Sequence, residues 1–563
     1  EEFSVIYYML LISCSIVSWG LVLNLIGFIA GIYYFATPTN EWEKYIHPHL
    51  PDFLFIKEYN FSKYFYEGLP KDMKIPYGIW FSVLFKWFLF ILGFYLLSIF
   101  LISIFRKQWL EKEKLSFPLS ELPTRLINEK NFIKDRLMWI GFFIPFFIYS
   151  LRGLSLVFPS FPKVNIYGSI SAFRGQFGFP LNLHFEVIGL SFLMPKDVLI
   201  SVWLFAIIYI ILTGVFKLTG YTIGYTIPYT DPAPQQLAFF TFGALIIYVI
   251  FGCIFSARTY LKEIFLHSIG KKKLDNKDEL VPYKIAFWGF IICFFYMVFW
   301  MHLFGLNFIT SFYFTIITII IFLGITKIIS QTGLAYYRAP MIPFGATLYT
   351  FGSNFIGEKG IIGLSTSFVW AGDIRTTVMT STANGLKICE GSVKNLKKIL
   401  IPILVSIFVS FIFTSWLIIY FSYKYGAGNL SSWHLKRLSD FVLSYTKSEI
   451  QRGISFGKQQ FLFTIFGGFC MGVLIFIKNR FLWWPISPIG LAIGIPLPVF
   501  FNWFPIFIAW ILKSLILKYG GVKFYHRAKV FFLGMVLGSF FTGGIWNLIA
   551  FFTKVQGIKF TIR

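Results

Sequence analysis

The chain has 563 residues, of which 57% are hydrophobic and only 13% charged, and its mean hydropathy is +0.71. Soluble domains carry about 25% charged residues, so this composition excludes an ordinary soluble enzyme or binding module and points to an integral membrane protein. The formal charge of +25 is scattered over loops between apolar runs and forms no basic domain, which fits cytoplasmic loops facing anionic lipid better than nucleic acid.

In chain order, the apolar runs predict spans near 4–36, 78–105, 137–157, 196–218, 236–256, 284–305 and 308–328, then 399–422, 461–477, 486–515 and 528–553. Each is close to the ~20 residues a helix needs to cross the hydrocarbon. Lipid offers no water to open backbone, and the period-two alternation of a barrel is missing. The expectation is an all-α polytopic membrane protein, one membrane domain of about 11–14 transmembrane or re-entrant helices. The sequence opens on Glu1 and turns oily at once, so an upstream piece, and with it a further helix, is expected.

Between the spans, 106–136, 257–284 (with Lys271, Lys272 and Lys273) and the stretch Lys387 to Lys398 are rich in Lys and Arg, which places them in the cytoplasm. The acid-bearing loop 37–75 then falls outside, and 423–460 reads as an amphipathic loop. The five cysteines are far apart and form neither a disulfide framework nor a metal knuckle. His47 and His49 are two metal-type ligands without a third. No metal and no cofactor is expected.

Three segments mix Pro, Gly and polar residues with too much apolar character for a surface loop: 158–196, 329–386, and 482–500 with "LWWPISPIGLAIGIPLPVF". Irregular backbone at membrane depth is tolerated where protein buries it or it lines a wet cavity, so these are the candidates for a shared interior. The densest is "ISQTGLAYYRAPMIPFGATLYTFGSNFIG", from Ile329 to Gly357. It has the logic of a discontinuous helix, in which Gly and Pro end the helix early and freed backbone faces a ligand. Gln331, Thr332, Tyr336, Tyr337, Arg338 and Asn354 are its candidate solute-binding residues. Arg338 would be costly in lipid, so it is either paired inside or an anchor at the cytoplasmic surface.

Two acids are the candidates for proton coupling. Glu186, beside His184 in "LNLHFEVIGLSF", would carry a proton if buried, because burial favours the neutral carboxyl. Asp373, in "FVWAGDIRTTVMTSTANG", is either a proton or cation acceptor or part of a surface turn before an N-capped helix. Asp231, ahead of a proline-rich helix start, reads as a cap. Enzyme signatures are missing: no HExxH, no GxSxG, no phosphate loop and no dinucleotide fingerprint.

Three stretches carry a resemblance: "RKQWLEKEKLSFPLSELPTRLI" (Arg106 to Ile127), "SQTGLAYYRAP" (Ser330 to Pro340) and "WWPISPIGLAIG" (Trp483 to Gly494). On these the chain resembles the oligopeptide transporter (OPT) superfamily, more closely an uncharacterised bacterial branch of OPT-like membrane proteins. Glu113, Lys114, Leu115, Phe117 and Pro118 match the pattern after an early helix; Trp484, Pro485, Pro488 and Gly490 match a Pro- and Gly-rich turn in the second half. The Asn-Pro-Gly turn of the peptide-transporting members is absent, which puts peptide as substrate in question. The resemblance implies two related halves with re-entrant segments around a central path, proton-driven secondary transport of peptides or metal chelates, and the inner membrane of a bacterium.

The functional expectation is a secondary transporter of a small polar solute, not an enzyme. Its expected partners are membrane lipid, the solute, and either a second copy or other membrane subunits, with no nucleic acid. The rival expectation is a non-transporting scaffold subunit, favoured by the loop Thr37 to Lys74 and the stretch Ser431 to Ile454.

Overall fold

The computed structural model describes residues 1–553 except 18–20, 159, 163, 231–233, 277, 336, 373–376, 431, 454, 482 and 495. Ten segments among the described residues are helices long and apolar enough to cross a membrane. The last of them spans 57 residues and contains two helices, divided by a π-helical turn at Ile516–Gly520 and by Gly521 at φ 67°.

The helices that matter below are, in order, α1 (Glu2–Val17), α2 (Leu21–Tyr34), α3 (Tyr77–Lys107), α4 (Pro118–Asn128), α5 (Arg136–Val157), α6 (Phe185–Leu193) and α7 (Lys196–Thr219). There follow α8 (Gln235–Val249), α9 (Tyr283–Leu303), α10 (Phe308–Thr332), α11 (Pro343–Phe351), α12 (Ser353–Ser365) and α13 (Val378–Cys389). The chain ends with α14 (Leu400–Tyr425), α15 (Leu438–Arg452), α16 (Lys458–Arg480), α17 (Ile489–Ile493), α18 (Leu497–Leu515) and α19 (Gly521–Thr553). The only β structure among the described residues is one hairpin, Ser169–Ala172 with Phe177–Pro180.

Side-chain caps set several starts. Asp135 accepts from Leu137 N ahead of α5, and Asn307 accepts from Thr310 N ahead of α10. Gly333, at φ 64°, ends α10 in the left-handed conformation that glycine adopts without penalty. The spans enclose a largely apolar core in which polar side chains such as Lys327, Gln236 and Asn502 are also buried, and they carry large apolar side chains on their outer faces as well. On α16, Phe461, Phe469 and Phe476 lie on the exposed face, where hydrocarbon would meet them.

The structure redraws four segments. α10 runs on to Thr332, so Gln331 and Thr332 belong to its last turn and the break begins at Gly333. In 106–136, α3 continues through a π-helical turn at Gln108–Lys112, and α4 fills most of the rest. Segment 158–196 is a surface hairpin followed by the short α6. In 423–460, the first residues complete α14, and α15 supplies most of the remainder.

Candidate functional site

At the Lys-rich end of the bundle, α10 places Lys327 and Gln331 four residues apart on one face. Lys327 is only 3% exposed, and its Nζ donates to Glu113 Oε2 at 2.7 Å and to the Gly252 carbonyl. That carbonyl is available because α8 ends in a π-helical turn, Ile250–Phe255, which re-routes the backbone ladder: Ser256 N bonds Phe251 O. Ser256 Oγ also donates to Gly252 O at 2.7 Å. Gln108 Nε2 donates to Glu113 Oε1 at 3.1 Å, and Tyr248 OH donates to Gln331 Oε1 at 2.6 Å. A cavity of about 740 Å³ opens beside this cluster, lined by Glu113, Tyr248, Ser256, Lys327, Asn479 and Pro488 among others.

The linker that delivers Glu113 is strained. Lys114 (φ 50°) and Phe117 (φ 40°) both sit in the left-handed region, where a non-glycine residue costs about 1–3 kcal/mol. Contacts to the end of α10 hold it there. Phe117 N donates to Ser330 O at 2.9 Å and Ser116 Oγ to Gln331 O at 2.7 Å, while Pro118 packs against Gly333. Three stretches distant in sequence, 113–118, 327–333 and Pro488, therefore meet around one cavity.

Deeper in the bundle the three broken segments converge. Beyond Gly333, Tyr337 is fully buried and donates to Ile493 O, at the end of α17, at 3.2 Å. Arg338 is 5% exposed, with its guanidinium 5.4 Å from the centre of the Tyr229 ring. It is an interior residue and not a surface anchor. Between Leu190 and Ser191 of α6, Gly333 and Leu334, and Pro498 and Asn502 of α18 there remains a void of only about 20 Å³. That is room for about one water, so the junction is closed to a solute in this conformation.

Of the candidate solute ligands, Gln331 borders the large cavity through Tyr248, whereas the Thr332 hydroxyl is spent on Ile328 O of its own helix. Asn354 does not belong with them. It is exposed on α12, whose neighbouring Phe355 carbonyl is held by Asn307 at the far end of α10. The turn at Gly352, φ 78°, carries the chain out of the interior before Asn354 is reached. Tyr336 and Asp373 lie outside the described residues, as does Asp231.

Glu186, in the first turn of α6, is 1% exposed. Its Oε2 accepts from Tyr149 OH at 2.8 Å, and its Oε1 has no hydrogen-bond partner among the described residues. The helix is clamped at both ends by α18. His184 Nδ1, at its N-terminus, lies 2.5 Å from Asn502 Oδ1, and Lys513 Nζ donates to the carbonyls of Phe192 and Met194 at its C-terminus. A cation there also answers the negative end of the helix dipole.

A second cavity, of about 580 Å³, opens at the opposite end of the bundle, lined by Tyr225, Tyr349, Arg452, Ser455, Lys458 and Gln460 among others. The Arg452 guanidinium lies 3.8 Å from the centre of the Tyr225 ring and donates to Glu449 Oε1 at 2.8 Å. Glu449 is fully buried, and burial holds its carboxyl above the usual range although Arg452 pulls the other way. Gln460 Nε2 donates to Gln235 Oε1 at 3.0 Å. Both cavities lie along the same helix pair. α16 contributes Lys458 and Gln460 to one and Asn479 to the other; α8 reaches the first through Gln235 and lines the second with Tyr248. Between them the two helices touch backbone to backbone, because a Cβ at Gly243 would strike the Thr464 carbonyl and one at Gly467 the Phe240 carbonyl.

Sequence reasoning missed Lys327, Tyr248, Ser256, Glu449 and Arg452. The signal for Lys327 was available: a lone lysine inside the apolar run "IIIFLGITKII", where an ionisable residue is a functional candidate by default. No signal marked Gly252, whose part depends on a π-helical turn. His49 pairs with Glu358 at 3.2 Å, and no group of three metal-type ligands occurs among the described residues.

Compared with known proteins, the chain matches over residues 1–562 the family described as a family of unknown function, DUF6785. No curated protein matches it.

Proposed function

We propose that this chain, which belongs to the DUF6785 family, is a secondary active transporter that moves a small polar solute through the bundle by alternating exposure. The observation that carries the reading is the pair of cavities, about 740 and 580 Å³, at opposite ends of α8 and α16, with the closed glycine crossing of those two helices between them. Two solute-sized spaces on one helix pair, separated by packed protein, are what an occluded intermediate of such a cycle requires.

In this reading the breaks that begin at Gly333 and Gly494 are the discontinuous elements of two related halves, tied together where the Tyr337 hydroxyl donates to the Ile493 carbonyl. The Lys-rich end faces the cytoplasm of a bacterium whose inner membrane holds the protein. Gln331, Tyr337 and Arg338 take the solute once the junction opens. Glu186 is the proton carrier: its burial beside an unpaired acceptor position favours the neutral form, and opening of α6 would wet it.

The test is uptake by proteoliposomes holding the purified full chain, under an inward proton gradient, against a panel of di- and tripeptides and metal chelates. Accumulation of one solute class, abolished by an ionophore that collapses the gradient, is expected. If every member of the panel equilibrates at the rate of protein-free liposomes, the transport reading fails.

A further inference from the structure

The Lys327 ammonium sits where a dissociable cation would sit. Its surroundings are oxygens of the kinds that bind hard monovalent and divalent cations: the Glu113 carboxylate, the Gly252 carbonyl, and the Ser256 hydroxyl that touches both. Two features bring these oxygens together at the mouth of the cavity. The π-helical turn at Ile250–Phe255 turns the Gly252 carbonyl away from its helix, and the strained Lys114 and Phe117 hold Glu113 over it. Gln108, donating to the far carboxylate oxygen, fixes the orientation of Glu113. The other titratable groups facing the cluster are Tyr248 from α8 and Cys253 from the π-helical turn that follows it, both neutral when protonated. Glu113 and Lys327 are therefore the charges that must balance.

We propose that Glu113, the Gly252 carbonyl and Ser256 form a monovalent-cation site, which the chain fills with its own tethered ammonium, Lys327, in place of a free ion. It is the ammonium that is buried, 3% exposed, while the Glu113 carboxylate is partly exposed. Removing the lysine leaves that carboxylate and the Gly252 carbonyl without their cation at the mouth of the cavity, where a small cation from solution can reach them. The tether places the occupant on α10, six residues before the break at Gly333, with the 740 Å³ cavity alongside. Entry and exit of the ammonium would thus move the segment that carries Gln331 and Tyr337. This functional clause rests on the transport reading; the site itself does not.

The test cuts the tether and supplies the cation from solution. Full-length wild type, Lys327→Ala and Lys327→Gln are purified in detergent. Their thermal midpoints are read in sodium chloride, potassium chloride or ethylammonium chloride, each against N-methylglucammonium chloride at equal ionic strength. The wild type should respond equally to all four. Lys327→Ala should melt lower in N-methylglucammonium and recover at least half of the lost midpoint, saturably, in one of the small cations, and Glu113→Gln in that background should abolish the recovery. Lys327→Gln keeps a donor for the Gly252 carbonyl without the charge and should show the same rescue.

Equal response of both variants to all four salts overturns the site, as does undiminished rescue in the Glu113→Gln background. Failure of both variants to fold in every cation overturns it too. Because the readout is binding and not uptake, a negative result leaves the transport reading to its own experiment, and a solute screen that fails leaves the site standing.

Discussion

Tyr149 OH donates to Glu186 Oε2 at 2.8 Å, joining the middle of α5 to the first turn of α6 where the carboxyl has no water to turn to. Tyr149→Phe removes this hydrogen bond to the buried carboxyl and should lower stability by about 1–3 kcal/mol. Glu186→Gln retains an acceptor for the phenol and should cost less than Tyr149→Phe, while abolishing any dependence of uptake on the proton gradient. Unfolding in detergent and gradient-driven uptake check the two halves of this statement; gradient-driven uptake that survives Glu186→Gln removes the proton-carrier role.

His184 and Asn502, 2.5 Å apart, tie the start of α6 to α18. Each replaced alone by Ala should cost about 1–3 kcal/mol, because the partner is left buried and unpaired. The double variant should cost clearly less than the sum, with a coupling of about 0.5–3 kcal/mol in a double-mutant cycle. Strict additivity would mean that the two side chains do not depend on each other.

The glycine crossing between α8 and α16 tolerates no side chain. Gly243→Val or Gly467→Val must push the Thr464 or Phe240 carbonyl aside and is expected to destabilise by about 3 kcal/mol, with loss of monodisperse protein on size exclusion. Gly472→Val, on the same helix at a position where a Cβ meets nothing, is the control and should behave as wild type in that assay.

Lys114 is exposed and sits at φ 50°, so Lys114→Gly relieves a conformation that lysine disfavours. It should be neutral or stabilising by about 1 kcal/mol, whereas glycine in an exposed helix interior costs about that much. A clear loss of stability would show that the side chain, and not the backbone, matters at this position.

The Glu449 carboxyl is held above its ordinary range by burial. A folded pKa above the unfolded one means that the group favours the folded state below the unfolded pKa, and that this contribution is lost as pH rises through the folded pKa. Thermal midpoints should therefore fall with rising pH across the window that starts in the ordinary carboxylate range and ends at the raised value. Glu449→Gln should flatten that slope. An unchanged slope in the variant would assign the pH dependence to other groups.

Most spans were legible in the sequence to within a few residues, although the run read as 486–515 becomes one long helix only at Leu497 and the run read as 528–553 already starts at Gly521. Transfer into hydrocarbon is a sum over the residues of a run, so "FITSFYFTIITIIIFLGITKIISQT" announces a crossing whatever surrounds it. Breaks at Gly333, Pro340 and Gly494 were legible for a similar reason, since glycine and proline act on their own backbone. Which side chains face one another was not, because that depends on the rotation and depth of each helix, settled only by packing. Asn354 shares a stretch with Gln331 yet lies exposed beyond the Gly352 turn, while Glu113, Gly252 and Lys327, separated by more than seventy residues at each step, share one set of oxygens. The sequence by itself determined a polytopic helical membrane chain with three broken segments; only the tertiary structure decided that a buried lysine, a π-helical turn and a strained linker would close around the same point.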